Sequence, residues 1–162
     1  MGINSEIQYW KEKGINLMEE LIQSTKIVLA NHFAFYLKAQ YYHWNVTGPD
    51  FKQYHDLFGG VYEEVYGSVD KIAEEIRALD AYAPGSLGRF IQLSEVKDEG
   101  EVPPALEMVQ RLYNDIPILL NSIERAYELA EEQHQHGLSN FLAERQDAFK
   151  KHQWMLKSTL KT

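Results

Sequence analysis

The sequence predicts an all-α protein: a bundle of four long helices with one long crossover. Three observations carry that expectation. Apolar residues recur at helical spacing over four long stretches, strand-type alternation is absent, and the strongest turn signals fall between the stretches.

The cleanest stretch begins at Phe51. Phe51, Tyr54, Phe58, Val61, Val65, Val69, Ile72, Ile76 and Leu79 follow one another at intervals of three or four residues, which makes one apolar stripe on a continuous helix. Asp50, immediately before it, suits an N-cap. Upstream, Ile15 to His43 reads as helix, with Met18, Ile22, Leu29 and Tyr36 among residues facing inward. Its apolar positions spread wider than one stripe, so burial on more than one side is expected. Downstream, Ala105 to about Gln133 forms a third segment that Pro117 should kink or restart. Gly137 then punctuates the chain. Ser139 to about Leu160 forms the fourth segment, with Phe141, Leu142, Phe149 and Met155 among its apolar positions. The linker-like stretch 80–104 carries Pro84-Gly85, Gly88, Gly100 and Pro103-Pro104, and a short helix near Leu87 to Leu93 is expected within it. Short first-to-second and third-to-fourth turns with a single long connection match a ferritin-like bundle. Residues 1–162 are expected to form one such domain.

Composition narrows the function. The chain has no cysteine, which removes thiol and disulfide chemistry. Its formal net charge is −8, a field that repels phosphate backbones and attracts cations, so DNA is not expected as a partner. Lys11 is the first basic residue, and Lys157 and Lys161 are too few to make a basic arm. No apolar run approaches the ~20 residues that cross a bilayer, so no membrane association is expected. The start, MGINSEIQYW, lacks the basic region and apolar core of a secretion signal, and a cytoplasmic protein is the expectation.

Chemistry concentrates in YHWNVTGPDFKQYHDLFGG, residues 42–60. His43 and His55 lie six residues either side of Pro49. If the first two long segments pack antiparallel across this turn, both imidazoles reach the same end of the bundle. Imidazole suits iron and zinc, and carboxylates suit harder ions. Asp70 and Glu74, spaced i and i+4, share a helix face. Fifteen residues separate His55 from Asp70, about 22 Å at ~1.5 Å per residue. No metal ion spans that distance, so one chain holds two half-sites. Projected at ~100° per residue, His55, Gly59, Glu63, Tyr66, Asp70 and Glu74 form a second stripe turned away from the apolar one. Antiparallel pairing with a second copy would bring His43 and His55 of one chain to Asp70 and Glu74 of the other. Gly59, Gly60 and Gly67 would permit the close helix approach, at a twofold interface. A site inside the bundle would need two Glu-x-x-His motifs. Only Glu131 with His134 fits that pattern. His32 is expected to be a packed polar residue, and His152 to lie at the surface.

The segments HWNVTGPDF, the following H-x-x-F, the D-x-x-x-E helix and FLAERQDAFKKHQWMLKS resemble the Dps-type mini-ferritins over nearly the whole chain, about 15 to 160. The resemblance implies a hollow homododecamer with ferroxidase centres between twofold-related subunits. Such a shell oxidises Fe(II), preferably with hydrogen peroxide and otherwise with dioxygen, and stores Fe(III) mineral, which protects against oxidative damage. It implies metal ligands His43 and His55 from one subunit and Asp70 and Glu74 from its partner, with Glu74 bridging. Zinc or another divalent ion could occupy the same ligands. Trp44 takes the place of the family's tryptophan beside the centre. In two places the chain departs from the pattern. Gly59 stands where the family usually places an acid that binds the second metal, and Glu63, one turn on, is the available substitute. Around the third-to-fourth junction, EEQHQHGLSN keeps Glu131 and Glu132 but has Gln135 and Asn140 where acids are expected, with His134 and His136 adding imidazoles. The alternative function is a Dps-like shell that condenses DNA or sequesters metal without efficient ferroxidase activity.

Overall fold

Six helices form in the computed structural model, which describes residues 2–161: α1 (Ile3–Glu12), α2 (Leu17–Asn45), α3 (Phe51–Ala78), α4 (Leu87–Leu93), α5 (Ala105–Glu132) and α6 (His136–Leu160). The four long ones make the bundle. α2 packs against both α3 and α5, and α5 packs against α6. Side chains close the fourth side between α3 and α6, where Arg145 and His152 reach Glu64. The predicted stripe of α3 supplies Phe58, Val61, Val65, Ile72 and Ile76 to the core, all nearly inaccessible to solvent. α2 is buried on more than one side, as its spread of apolar positions requires. Its core residues include Leu21, Val28, Phe35 and Tyr42.

The crossover is tied down by polar bonds. Tyr42 donates its hydroxyl to Glu99 at 2.5 Å, Arg111 binds the same carboxylate at 2.9 and 3.0 Å, and the Asn31 amide bonds Glu95 at 3.0 Å. Lys38 and Asp115 form a buried ion pair at 2.8 Å between α2 and α5. Burial pushes the Asp115 carboxyl upward, against the pull of Lys38.

Several boundaries differ from the sequence reading. α1 was not expected: Ile7 buries itself, Glu6 pairs with Arg125 at 3.8 Å, and Lys11 pairs with Glu132. Asp50 does occupy the N-cap position of α3, but with φ 62 and no side-chain cap bond. A left-handed residue aims its side chain off the helix axis, so the expected capping bond does not form. Side-chain caps do form at Asn16, which accepts from the N–H groups of Met18 and Glu19, and at Ser86, which accepts from the N–H of Arg89. α5 runs unbroken through Pro117, which is exposed, rather than restarting there. α6 begins at His136, so Gly137 lies inside its first turn instead of before it.

Candidate metal centre

The α2–α3 turn sets up the centre. Gly48 takes φ 103 and Asp50 φ 62, and this left-handed corner returns α3 alongside the end of α2. His43 lies in the last turn of α2, where carbonyls lose their intrahelical partners. His55 fills that vacancy: its Nδ1 lies 2.7 Å from the His43 carbonyl oxygen. The bond is reciprocated, with His43 Nδ1 2.7 Å from the His55 carbonyl. A carbonyl only accepts, so both Nδ1 atoms carry hydrogen, and in the neutral imidazole the lone pair lies on Nε2. The rings stack at 3.7 Å with an interplanar angle of 18°. Phe51 stacks on His55 from outside at 5.1 Å, and Tyr62 meets the His43 ring edge-on at 5.1 Å. A main-chain carbonyl fixing the tautomer and tilt of an imidazole is the usual support behind a metal-ligating histidine.

Gly59 makes room for this stack. A Cβ there would lie 3.2 Å from both Cε1 and Nδ1 of His43. The sequence reading assigned Gly59, Gly60 and Gly67 together to helix approach. Gly59 is instead filled from within the chain, while Gly60 and Gly67 have nothing within 4 Å.

Asp70 and Glu74 lie exposed further along α3. The hydrogen bond and negative charge of Asp70 raise the Glu74 carboxyl above its ordinary range. Two acids one turn apart that resist joint ionisation relax when a cation joins them. Among the described residues, no three His, Asp or Glu side chains of one chain converge on a point that could hold a metal ion. The structure therefore pairs His43 with His55 and leaves Asp70 and Glu74 apart from them. Glu63 is exposed on the same helix.

A second histidine–carboxylate group joins α2, α3 and α6, with His32, Arg145 and His152 buried and Glu64 at its exposed edge. Arg145 grips Glu64 with two bonds, at 2.6 and 3.0 Å, and its Nε donates to His32 Nε2 at 3.2 Å. His152 Nε2 bonds Glu64 at 2.8 Å. His152 is 6% exposed, which overturns its expected place at the surface. Its position on the same α6 face as Arg145, seven residues on, was the available signal. His32 is packed as expected, its Nδ1 donating to the Val28 carbonyl at 2.8 Å. Burial and then the Arg145 charge push its pKa down to about 3. Burial would raise Glu64, but the bonds from His152 and Arg145 prevail and hold it down at about 2. At the α5–α6 junction, His134 and His136 are exposed, and Glu131 is lowered by Ser139 and then His136.

A ferritin-like domain model matches residues 22–162. General stress protein 20U of Bacillus subtilis is 30% identical over 144 residues, 89% of this chain and 99% of that protein. The DNA protection during starvation protein of Brevibacillus brevis is 29% identical, over 82% of this chain and 89% of that one. The crystal structure of the Dps protein of Vibrio cholerae superposes with a TM-score of 0.85 at 28% identity, covering 90% of this chain and 91% of its own. The chain belongs to the Dps-type branch of the ferritin-like family. The Vibrio protein is described as one of a broad superfamily of ferritin-like diiron-carboxylate proteins. No helix among the described residues is long and apolar enough to cross a membrane.

Proposed function

We propose that this Dps-type chain oxidises Fe(II), with hydrogen peroxide as the preferred oxidant, and stores the Fe(III) product as mineral inside a hollow shell of twelve copies. The observation that carries the reading is the reciprocal His43–His55 pair, whose two Nε2 lone pairs are oriented and unspent. Asp70 and Glu74 of a second copy complete the ligand set, with Glu63 available to the second metal position. A second copy also has a surface to meet. Leu37, Leu87 and Ile91 stand exposed around a groove of about 400 Å³ between α2 and α4, which Phe33 and Phe90 also line. Iron enters as substrate and leaves the centre as mineral; zinc is a redox-silent stand-in for the same ligands.

DNA is not the partner in this reading. The net charge is −8, and Lys11, the first basic residue, is engaged by Glu132. The second reading is metal sequestration without efficient oxidation. It is favoured by Gly59, whose space is occupied by His43 rather than by a further acid.

Titration of the assembled protein with Fe(II) and peroxide tests the function. Two Fe(II) consumed per peroxide, with mineral retained in a particle sized by light scattering, is the expected result. Iron bound but not oxidised would favour sequestration. A stable monomer or simple dimer at micromolar concentration would remove the shell.

A further inference from the structure

The two buried histidines of the bundle differ in how far their bonds are spent. Nδ1 of His32 donates to the Val28 carbonyl, and its Nε2 accepts from Arg145. His152 has a partner at one nitrogen only. Its Nε2 lies 2.8 Å from a Glu64 oxygen, and its Nδ1 makes no hydrogen bond among the described residues. A carboxylate only accepts, so Nε2 carries the hydrogen, and in the neutral imidazole the lone pair lies on Nδ1. Among the described residues no fully buried side-chain nitrogen or oxygen lacks a partner, so this nitrogen still reaches open space although His152 is 6% exposed. The open space beside it is a cavity of about 290 Å³ between α3 and α6, which His152 lines together with Leu57, Val61, Ala148 and Met155. Met155 follows His152 by three residues and so shares its face of α6.

We propose that His152 Nδ1 and the Met155 thioether hold a Cu(I) ion in this cavity. The site is separate from His43 and His55 and does not depend on how that centre is read. Glu64 supports the ligand from behind: Arg145 grips it with two bonds, and it fixes the tautomer and tilt of the His152 ring. A carboxylate behind an imidazole is the usual support of a metal ligand and raises its basicity. The donor set selects the ion. A hard cation needs oxygen ligands, and the carboxylates that line the cavity are engaged. Glu64 accepts from Arg145 on both oxygens, and Asp56 accepts from Lys52 on both. What remains is one imidazole nitrogen and one thioether sulfur. Thioether sulfur is a soft ligand that selects Cu(I), and imidazole suits copper equally. Cu(I) tolerates low coordination numbers, so a pair of neighbours on one helix turn suffices, and the apolar walls keep water from competing.

The test titrates the assembled protein with Cu(I) under anaerobic conditions against a chromophoric Cu(I) chelator. X-ray absorption at the copper edge should show a sulfur and a nitrogen neighbour. Met155→Leu keeps the side-chain volume. It should lose the sulfur neighbour and weaken Cu(I) binding by more than about tenfold, since even loss of a ligand's support costs about 10- to 100-fold. Its unfolding midpoint and Fe(II) oxidation should stay unchanged. His152→Gln should weaken Cu(I) binding as far, and if that variant fails to fold, Met155→Leu decides the question by itself. Unchanged affinity and sulfur signal in Met155→Leu overturn the inference. Copper with nitrogen neighbours alone in the unmodified protein overturns it too, because such an ion sits on other histidines. Failure to take Cu(I) from the chelator overturns it equally, and none of these outcomes bears on the iron-oxidising reading.

Discussion

His32 and His43 lie on the same helix, and each donates Nδ1–H to a main-chain carbonyl, at 2.8 and 2.7 Å. They differ at the other nitrogen. Nε2 of His32 accepts from Arg145, within a network that also satisfies Glu64 and ties down His152. Nε2 of His43 makes no hydrogen bond among the described residues, and its ring stacks on that of His55. The carboxylates divide in the same way. Glu64 is surrounded by donors and held down at about 2, whereas Glu74 is crowded by Asp70 and raised. One group is bonded within the chain and serves stability. The other keeps donor groups to spend, and in the proposed function a cation and a second chain complete it. Substitutions that separate stability from activity can break this comparison.

The largest effect is expected at the open group. Asp70→Ala or Glu74→Ala should slow peroxide-driven Fe(II) oxidation by more than about a hundredfold, since even loss of a ligand's supporting partner costs about 10- to 100-fold. Both side chains are exposed, so unfolding midpoint and assembly should stay unchanged. Stopped-flow absorbance and light scattering on the same samples check the pair of outcomes. Fast oxidation surviving in both variants would remove the proposed ligands.

The closed group should answer in the opposite sense. Arg145→Met takes the partner from a buried network and should lower stability by roughly 2–3 kcal/mol, below the usual penalty for a broken buried pair because the Glu64 side chain is 39% exposed. Oxidation per assembled subunit should not change. A slowed oxidation in well-folded Arg145→Met would show that the two groups are coupled.

The open group was far more legible in the sequence than the closed one. His43, His55, Asp70 and Glu74 fall on one short segment and one helix face, so turn position and helical period suffice to place them. The network joins α2, α3 and α6 through pairs 81, 88 and 113 residues apart. Local periodicity says nothing about which distant side chains share a level, and that is how His152 was misplaced. α1 went unnoticed because its apolar stripe is only Ile3, Ile7 and Trp10, and only Ile7 is fully buried. The role of Gly59 depends on a ring 16 positions away lying over it, which spacing alone cannot reveal.

Acid should act through the closed group. The unfolded chain would protonate His32 near 6.5, while the folded one resists until about 3. Between those values the unfolded state binds more protons, so stability falls as pH falls, by up to about 1.4 kcal/mol per unit. Glu64 adds stability above its unfolded value of 4.5 that is lost as pH falls toward about 2. Guanidinium midpoints should therefore decline below pH 6.5 and more steeply below 4.5. His32→Gln should flatten the first limb. An unchanged limb in that variant would mean that His32 does not govern it.

The smallest effects are expected at the three glycines of α3, and they bear on the open group's geometry. Replacing a mid-helix glycine by alanine adds up to about 1 kcal/mol of stability where the new methyl meets nothing. Gly60→Ala and Gly67→Ala have open space within the chain and should gain roughly that amount. If a partner helix passes close by, the gain disappears and the dimer weakens instead, which light scattering at low concentration would reveal. Gly59→Ala gains the same helical preference but meets the His43 ring at 3.2 Å. That ring cannot simply retreat, because His55 stacks on it at 3.7 Å and the Nδ1 bond to the His55 carbonyl is already 2.7 Å long. Overpacking of this kind typically costs about 1–3 kcal/mol, so the two contributions nearly cancel or leave a small net loss. The more telling readout is zinc affinity. A displaced imidazole strains the carbonyl bond that sets its tautomer, and binding should weaken in Gly59→Ala while Gly60→Ala binds as before. Gly59→Asp carries the same steric penalty with an added carboxylate, so any gain it shows over Gly59→Ala measures what a further acid does for the metal. Should Gly59→Ala gain as much stability as Gly60→Ala and bind zinc normally, His43 is not held over that position, and the stacked pair is not the form that meets metal.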